Sequence, residues 1–310
     1  MSTLARIYHN QGRWKEAEEL QVQVAETYKR VLGEEHPDTL TVFNNRLVTF
    51  QEQGRWSEAE DLAVEILEKC KKVLGAEHPD TVTCMSNLTT IYGGQRRWKE
   101  AENLAAQVME IRKRDLGEDH PDTLTIMHNL AFTYVEQGLS EKAEDFGSQL
   151  LEVERRVLGD DHRLTLKSSG ILIEVYKGQN RWKEAADLGI RLLEAQKKKL
   201  GEEHPVVLDS MNSLALVYQQ QGRWKEAEAI GTILVELSKK VFEEDHYKGC
   251  LYPANFAITL QGLGATSEAV PLMADGVAGL ERTLGRDHPY TTSYALILEK
   301  WRESAKESSE

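Results

Sequence analysis

Apolar and polar positions along this chain follow a helical period, and the helical blocks themselves recur. Trp56, Ala59, Leu62, Ile66, Cys70 and Val73 fall three or four residues apart, which puts them on one stripe of a helix. A second block precedes this one. Pro37 suits a first helical turn, where its missing N–H costs nothing, and Asp38 beside it is favoured by the helix dipole. This helix, called A, is predicted to run to about Gln53. Gly54 breaks it, and Arg55-Trp56 starts the partner helix B. Gly75 is read as the stop of helix B, in a left-handed conformation that glycine takes cheaply. Neither stripe can be buried by one pair alone, so each A–B pair needs its neighbours.

The pair recurs every 42 residues. His36, His78, His120, His162, His204, His246 and His288 keep that spacing, and proline follows five of them. Ala17, Ala59, Ala101, Ala143, Ala185, Ala227 and Ala269 hold a second series without a gap. Tryptophan opens helix B at Trp14, Trp56, Trp98, Trp182 and Trp224, with Ser140 and Thr266 in the other two places. An aromatic recurs at Tyr8, Phe50, Tyr92, Tyr134, Tyr176 and Tyr218. A strict period of this length marks stacked supersecondary units. The expectation is an all-α solenoid of about seven helix pairs, forming one domain over residues 1–310. Its units run approximately 1–35, 36–77, 78–119, 120–161, 162–203, 204–245 and 246–287, with a cap at 288–310. Tyr290 to Trp301 reads as the capping helix, followed by a polar tail from Arg302. Met1 has the phase of Phe43, inside helix A, so a larger parent protein is expected.

Composition narrows the function classes. The chain is 40% hydrophobic and 29% charged, which suits a folded chain rather than a disordered one. Its net charge of −13 lacks the basic footprint that nucleic-acid binding requires. No run of about 18 apolar residues occurs, so no membrane span is expected. The N-terminal segment has no apolar signal region. Cys70, Cys84 and Cys250 are few and unrelated in spacing, and are read as reduced thiols of a cytoplasmic protein.

The periodic histidines invite a metal reading. Neighbouring units of such a stack lie about 10 Å apart. Zinc needs its ligands at about 2 Å from one ion. One histidine per unit does not meet that, so each is read as a residue of the helix start, bonded to nearby backbone or carboxylate. No His-Glu-x-x-His, Cys-x-x-Cys or Gly-x-Ser-x-Gly occurs. No catalytic residue, metal ligand or cofactor is assigned. Runs such as Lys15 to Glu18 are read as a solvated helix face. Glycines near the ends of A helices, Gly93, Gly94, Gly178 and Gly262, are read as sites of flexing or of close approach by a ligand.

The motif Leu130-Ala131-x-x-Tyr134-x-x-x-Gly138, followed by Ala143, resembles a tetratricopeptide repeat. The 42-residue unit is similar to the kinesin-light-chain type, on Gly-Arg-Trp-Lys-Glu-Ala-Glu (Gly12 to Glu18, Gly222 to Glu228) and Leu-Gly-x-x-His-Pro-Asp-Thr (Leu32 to Thr39). It most resembles the C-terminal arrays of fungal nucleotide-binding receptor-like (NB-ARC) proteins, although no Gly-x-x-x-x-Gly-Lys-Ser/Thr occurs. The resemblance implies a right-handed α-solenoid whose concave face is lined by helix A. It also implies that an asparagine just before the repeat leucine bonds the main chain of a bound peptide. Asn45, Asn87 and Asn129 hold that place in three successive units. The alternative reading is that these amides bridge neighbouring helices. Asn44, Thr83, Thr90, Thr125, His128 and Phe132 complete the candidate peptide-binding set, with Arg6, Thr41, Gln51, Gln219 and Gln220 also expected to face inward. The fourth repeat is irregular: Arg163 stands for proline, and Lys167, Gly170 and Ile171 for polar inward residues. The function expected is a scaffold that binds an extended, weakly charged protein segment or peptide, without nucleic acid or membrane, and as a monomer in isolation. The alternative is a ligand-sensing repeat region cut from a fungal NLR-like receptor.

Overall fold

The computed structural model describes residues 14–243 and 246–307. The first helix A, with Arg6 and Tyr8, lies outside the described residues, as do the side chains of Trp14 and Asn45. Fourteen helices occur among the described residues, without a strand. They are α1 (Trp14–Leu32), α2 (Pro37–Glu52), α3 (Trp56–Leu74), α4 (Pro79–Gly94), α5 (Trp98–Leu116), α6 (Pro121–Glu136), α7 (Ser140–Leu158), α8 (Arg163–Gly178), α9 (Trp182–Leu200), α10 (Pro205–Gln220), α11 (Trp224–Val241), α12 (Tyr247–Gly262), α13 (Thr266–Leu284) and α14 (Pro289–Glu307). A and B helices alternate as the 42-residue period requires. None of the described helices is long and apolar enough to cross a membrane.

Two compact units divide the chain, residues 1–157 and 158–310. In the first, α1 to α6 pack consecutively, and the A helices α2, α4 and α6 also touch in succession. Leu47, Ile66, Leu88, Ile91, Ile126 and Leu130 lie in its continuous core. In the second, α8 to α14 pack in the same consecutive way, and α10 touches α12. Ala59, Ala101, Ala185, Ala227 and Ala269 are fully buried in their respective units, where a larger side chain would hold paired helices apart.

The seven periodic histidines are helix N-caps. Nδ1 of His36, His78, His120, His162, His204, His246 and His288 accepts the backbone N–H two residues on, at 3.1–3.3 Å. An N-cap acceptor of this kind satisfies one of the donors that a helix start leaves without a partner. In the first unit Thr39, Thr81 and Thr123 tie the same junction from the other side, donating to the carbonyls of Gly33, Gly75 and Gly117. Gly75 holds φ 96° and ψ 161°, not the left-handed helical conformation expected of it. This is a mirror-extended region that is essentially restricted to glycine. At the A–B turn Gly54 and Gly138 take positive φ, whereas Arg96 and Asn180 hold φ 59° at the equivalent places.

Several expectations require correction. In the runs ending at Glu18 and Glu60 the second glutamate is not a solvated surface charge. Arg55 donates to Glu18 at 2.7 Å and Arg97 to Glu60 at 2.5 Å, each joining one B helix to the next. The same guanidinium groups lie 4.4 Å over Phe50 and Tyr92, so the repeated aromatic carries a cation as well as filling space. Gly94 and Gly262 are packed against tryptophan rings. A Cβ on either would lie 2.5 Å from the ring of Trp56 or Trp224, so it is tryptophan, not a ligand, that approaches them. Cys70 and Cys84 are brought together, with both thiols buried and their sulfurs 3.5 Å apart. The last helix extends to Glu307, so most of the expected polar tail is helical.

Candidate functional site

The A helices of the first unit bring part of the candidate set together. Thr41, Asn44 and Val48 on α2 face Thr83 and Asn87 on α4 across a cleft of about 220 Å³, floored by Cys70 and Leu74 of α3. Helical spacing places these residues on one side of each A helix, turn by turn. Asn87 donates from Nδ2 to Oδ1 of Asn44 at 3.3 Å, and Asn44 donates from its own Nδ2 to the sulfur of Cys84 at 3.3 Å. One amide hydrogen bond therefore links α2 to α4, as the bridging alternative requires. A primary amide offers two N–H groups and a carbonyl oxygen. Asn87 spends one N–H on Asn44 and is only half-buried, which leaves its other N–H and its oxygen for a ligand.

The hydroxyl of Thr83 is turned back on its own helix, donating to the carbonyl of Pro79 at 2.9 Å. Thr125 does the same to Pro121 at 2.8 Å, and Thr90 to Ser86 at 3.4 Å. Their oxygens retain acceptor capacity but their protons are committed. Beneath the cleft, burial and the neighbouring Cys84 thiol push the Cys70 thiol up to about 12, so it stays protonated and unreactive near neutrality.

Asn129, His128, Phe132 and Thr125 lie on α6, and Thr90 lies further along α4; none of them lines this cleft. Asn129 is half-buried, and its side chain has no hydrogen-bond partner among the described residues. Phe132 is 45% exposed and meets the Trp98 ring edge-on, with centroids 6.2 Å apart. An exposed large aromatic beside an unengaged amide is the kind of surface that an incoming chain can cover. No group of three or more His, Cys, Asp or Glu side chains able to hold a metal ion occurs among the described residues.

In the second unit the same register is used differently. Asn255 is buried, donates to Asn212 at 2.9 Å, and accepts from the hydroxyl of Tyr294. Burial holds that phenol up at about 12. Gln219, expected in the groove, is buried and donates both to the carbonyl of Asn255 and to Thr259. At Asn255, then, the amide is a helix bridge closed to ligand. The aromatic at position 294 and the glutamine at 219 lie outside any asparagine-based reading, so only their three-dimensional neighbours reveal this.

A family model described as tetratricopeptide repeat matches residues 1–69, 48–114, 91–155, 122–198 and 167–240, and a second model of the same description matches residues 254–290. Among curated proteins none matches. Nearly identical TPR-like repeats from a Podosopora anserina protein described as a kinesin light chain are 27% identical, with TM-score 0.60, covering 67% of this chain and 99% of that one. A STAND-class signal transduction ATPase with a tetratricopeptide repeat sensor from Pyrococcus horikoshii is 14% identical, with TM-score 0.68, covering 91% of this chain and 43% of that one. NprR in complex with its cognate peptide NprX is 16% identical, with TM-score 0.52, covering 96% and 83%.

Proposed function

This chain belongs to the tetratricopeptide repeat family, and we propose that it is a non-enzymatic scaffold that binds an extended peptide segment along the helix A face of its first unit. The observation that carries the reading is the cleft between α2 and α4, where Asn87 is held by Asn44 with one N–H and its oxygen unspent. An amide in that state pairs with both the N–H and the C=O of an extended main chain. Asn129 on the next A helix extends the row, and Phe132 beside it supplies an apolar contact. The NprR complex supports the reading, since a protein with an array of the same fold binds a cognate peptide.

The cleft carries neutral polar groups with a single lining carboxylate, Asp80. The chain has a net charge of −13. A neutral or mixed-charge segment therefore suits it better than an acidic one. The test is a random-peptide selection on the wild-type chain, followed by calorimetry of the selected peptide. Asn87→Ala/Asn129→Ala is expected to lose at least ten-fold in affinity without a change in helicity or melting. Unchanged affinity refutes the assignment.

A second reading is favoured by one observation: the Pyrococcus horikoshii STAND protein uses repeats of this fold as a sensor. On that reading the chain is the sensing array of a receptor-like protein of the fungal NB-ARC kind, and the peptide is its signal. An NTPase domain encoded in the same reading frame supports it; a complete gene without one rules it out.

A further inference from the structure

The second unit contains a cavity of about 270 Å³ that no candidate residue of the first unit touches, open to solvent on one side between α8, α9 and α10. Its origin is visible in the repeat register. Positions 43 residues apart on successive A helices face one another: Asn44 meets Asn87, and Asn212 meets Asn255, each pair joined by an amide hydrogen bond. Between α8 and α10 that pair is Gly170 and Ser213. The bridging side chains are missing, and a Cβ added at Gly170 would meet nothing within 4 Å. Gly189 of α9 lies beneath, with Leu214 closing against it.

The lining is chemically one-sided. Ile173, Leu192, Val206 and Leu214 supply apolar walls, and the two titratable groups of the lining, Glu174 and Asp209, are both carboxylates. Asp209 is satisfied by Lys248 and by the Tyr252 hydroxyl, both at 2.7 Å. Glu174 pairs through Oε1 with Lys177 at 2.8 Å, and its Oε2 has no partner among the described residues. Such exposed ion pairs are weak and yield readily to a competing cation. The volume falls below the roughly 300–1,000 Å³ typical of small-molecule sites. It suits one bulky side chain projecting from a longer ligand. In a protein of net charge −13, the free carboxylate oxygen at the rim favours a cationic neighbour to that side chain.

We propose that this cavity is a second peptide subsite, which takes an aromatic or branched aliphatic side chain and, at its Glu174 rim, an adjacent arginine. The proposal extends the helix A scaffold reading and rests on it, but uses different residues and a different unit. A deleted amide bridge thus becomes a specificity pocket.

The probe is the capped peptide acetyl-Gly-Gly-Phe-Arg-Gly-Gly-amide, with its Phe→Ala and Arg→Glu counterparts, titrated into the full chain carrying ¹³C-labelled Leu, Ile and Val methyls. Leu192, Leu214 and Val206 methyls are expected to shift with the parent peptide, and both counterparts to bind at least ten-fold more weakly. Gly170→Leu, at a position where a Cβ meets nothing within 4 Å, projects a side chain into the cavity and should abolish the shifts with a melting temperature no lower than that of the wild type. Glu174→Gln should erase the preference for Arg over Glu, and Asn87→Ala should change nothing. Shifts that persist in Gly170→Leu, equal binding of all three peptides, or no shift at all each overturn the pocket and leave the first-unit cleft standing. Loss of the shifts in Asn87→Ala with retention in Gly170→Leu transfers the binding to that cleft.

Discussion

His120 offers a direct test of what the histidine period does. Its Nδ1 accepts the backbone N–H of Asp122 at 3.1 Å, at the start of α6. In His120→Ala that N–H loses its acceptor at a helix start where Pro121 supplies no donor. Loss of an N-cap acceptor costs about 1 kcal/mol, within a range of roughly 0.5–2. For a cooperative unit of about 150–250 residues, 1 kcal/mol moves the melting temperature by about 2–4 °C. His120→Asn keeps a side-chain acceptor within reach of the same N–H, and asparagine is among the best N-caps. Wild type, His120→Ala and His120→Asn are compared by circular-dichroism melting and by hydrogen exchange at the Asp122 amide. His120→Ala should melt lower by that amount, with faster exchange at Asp122, and His120→Asn should restore both. If His120→Asn falls as far as His120→Ala, or if zinc stabilises the wild type and not the alanine variant, the capping account is wrong.

Other consequences follow from close contacts and buried thiols. Gly94→Ala drives a Cβ to 2.5 Å from the Trp56 ring and should cost about 1–3 kcal/mol in urea unfolding, the usual range for overpacking. Gly170→Ala, whose Cβ meets nothing within 4 Å, should instead stabilise α8 by up to about 1 kcal/mol. Arg96 holds φ 59° where Gly54, Gly138, Gly222 and Gly264 stand at the equivalent turns, so Arg96→Gly should leave stability unchanged or raise it by about 1 kcal/mol, read as the shift in urea midpoint. Cys70 is held protonated up to about 12, against an ordinary thiol value of 9.0. Between those values the unfolded chain releases a proton that the folded chain keeps, so stability should fall as pH rises from about 9 toward 12. The slope of urea midpoint against pH should flatten in Cys70→Ala, and an unchanged slope rejects the thiol as its source.

Much of this architecture is written in one-dimensional spacing. A helix pair is a local object, and its punctuation lies within the same 42 residues: His120 with Pro121 at one end, Gly117 before them, Gly138 at the turn. The family resemblance placed the binding face on helix A, and Asn44, Thr83 and Asn87 do share a cleft there. What the spacing left open is which partner each polar atom takes. Asn87 and Asn255 hold the same register, yet Asn87 is half-buried with capacity to spare whereas Asn255 is sealed by Asn212 and Tyr294. Glu60 looks like a surface charge until Gln95 and then Arg97, from the following repeat, both donate to it and hold its carboxyl below the ordinary range. Cys70 and Cys84 fall outside the repeat period, and only the packing of α3 against α4 unites them. The Gly170 cavity is likewise an absence, and becomes legible only when the bridged pairs elsewhere show what is missing.

The proposed seat of the ligand is the cleft between α2 and α4. Photo-crosslinking from p-benzoylphenylalanine placed at Thr83, which is exposed on the cleft wall, tests it most directly. The control carries the same group at Lys99, exposed at the start of α5 and outside the cleft. With the peptide selected on the wild-type chain, the Thr83 position should crosslink to the peptide under light, the Lys99 position should not, and excess unlabelled peptide should suppress the adduct. Crosslinking at Lys99 with none at Thr83 would contradict the assignment of the binding face.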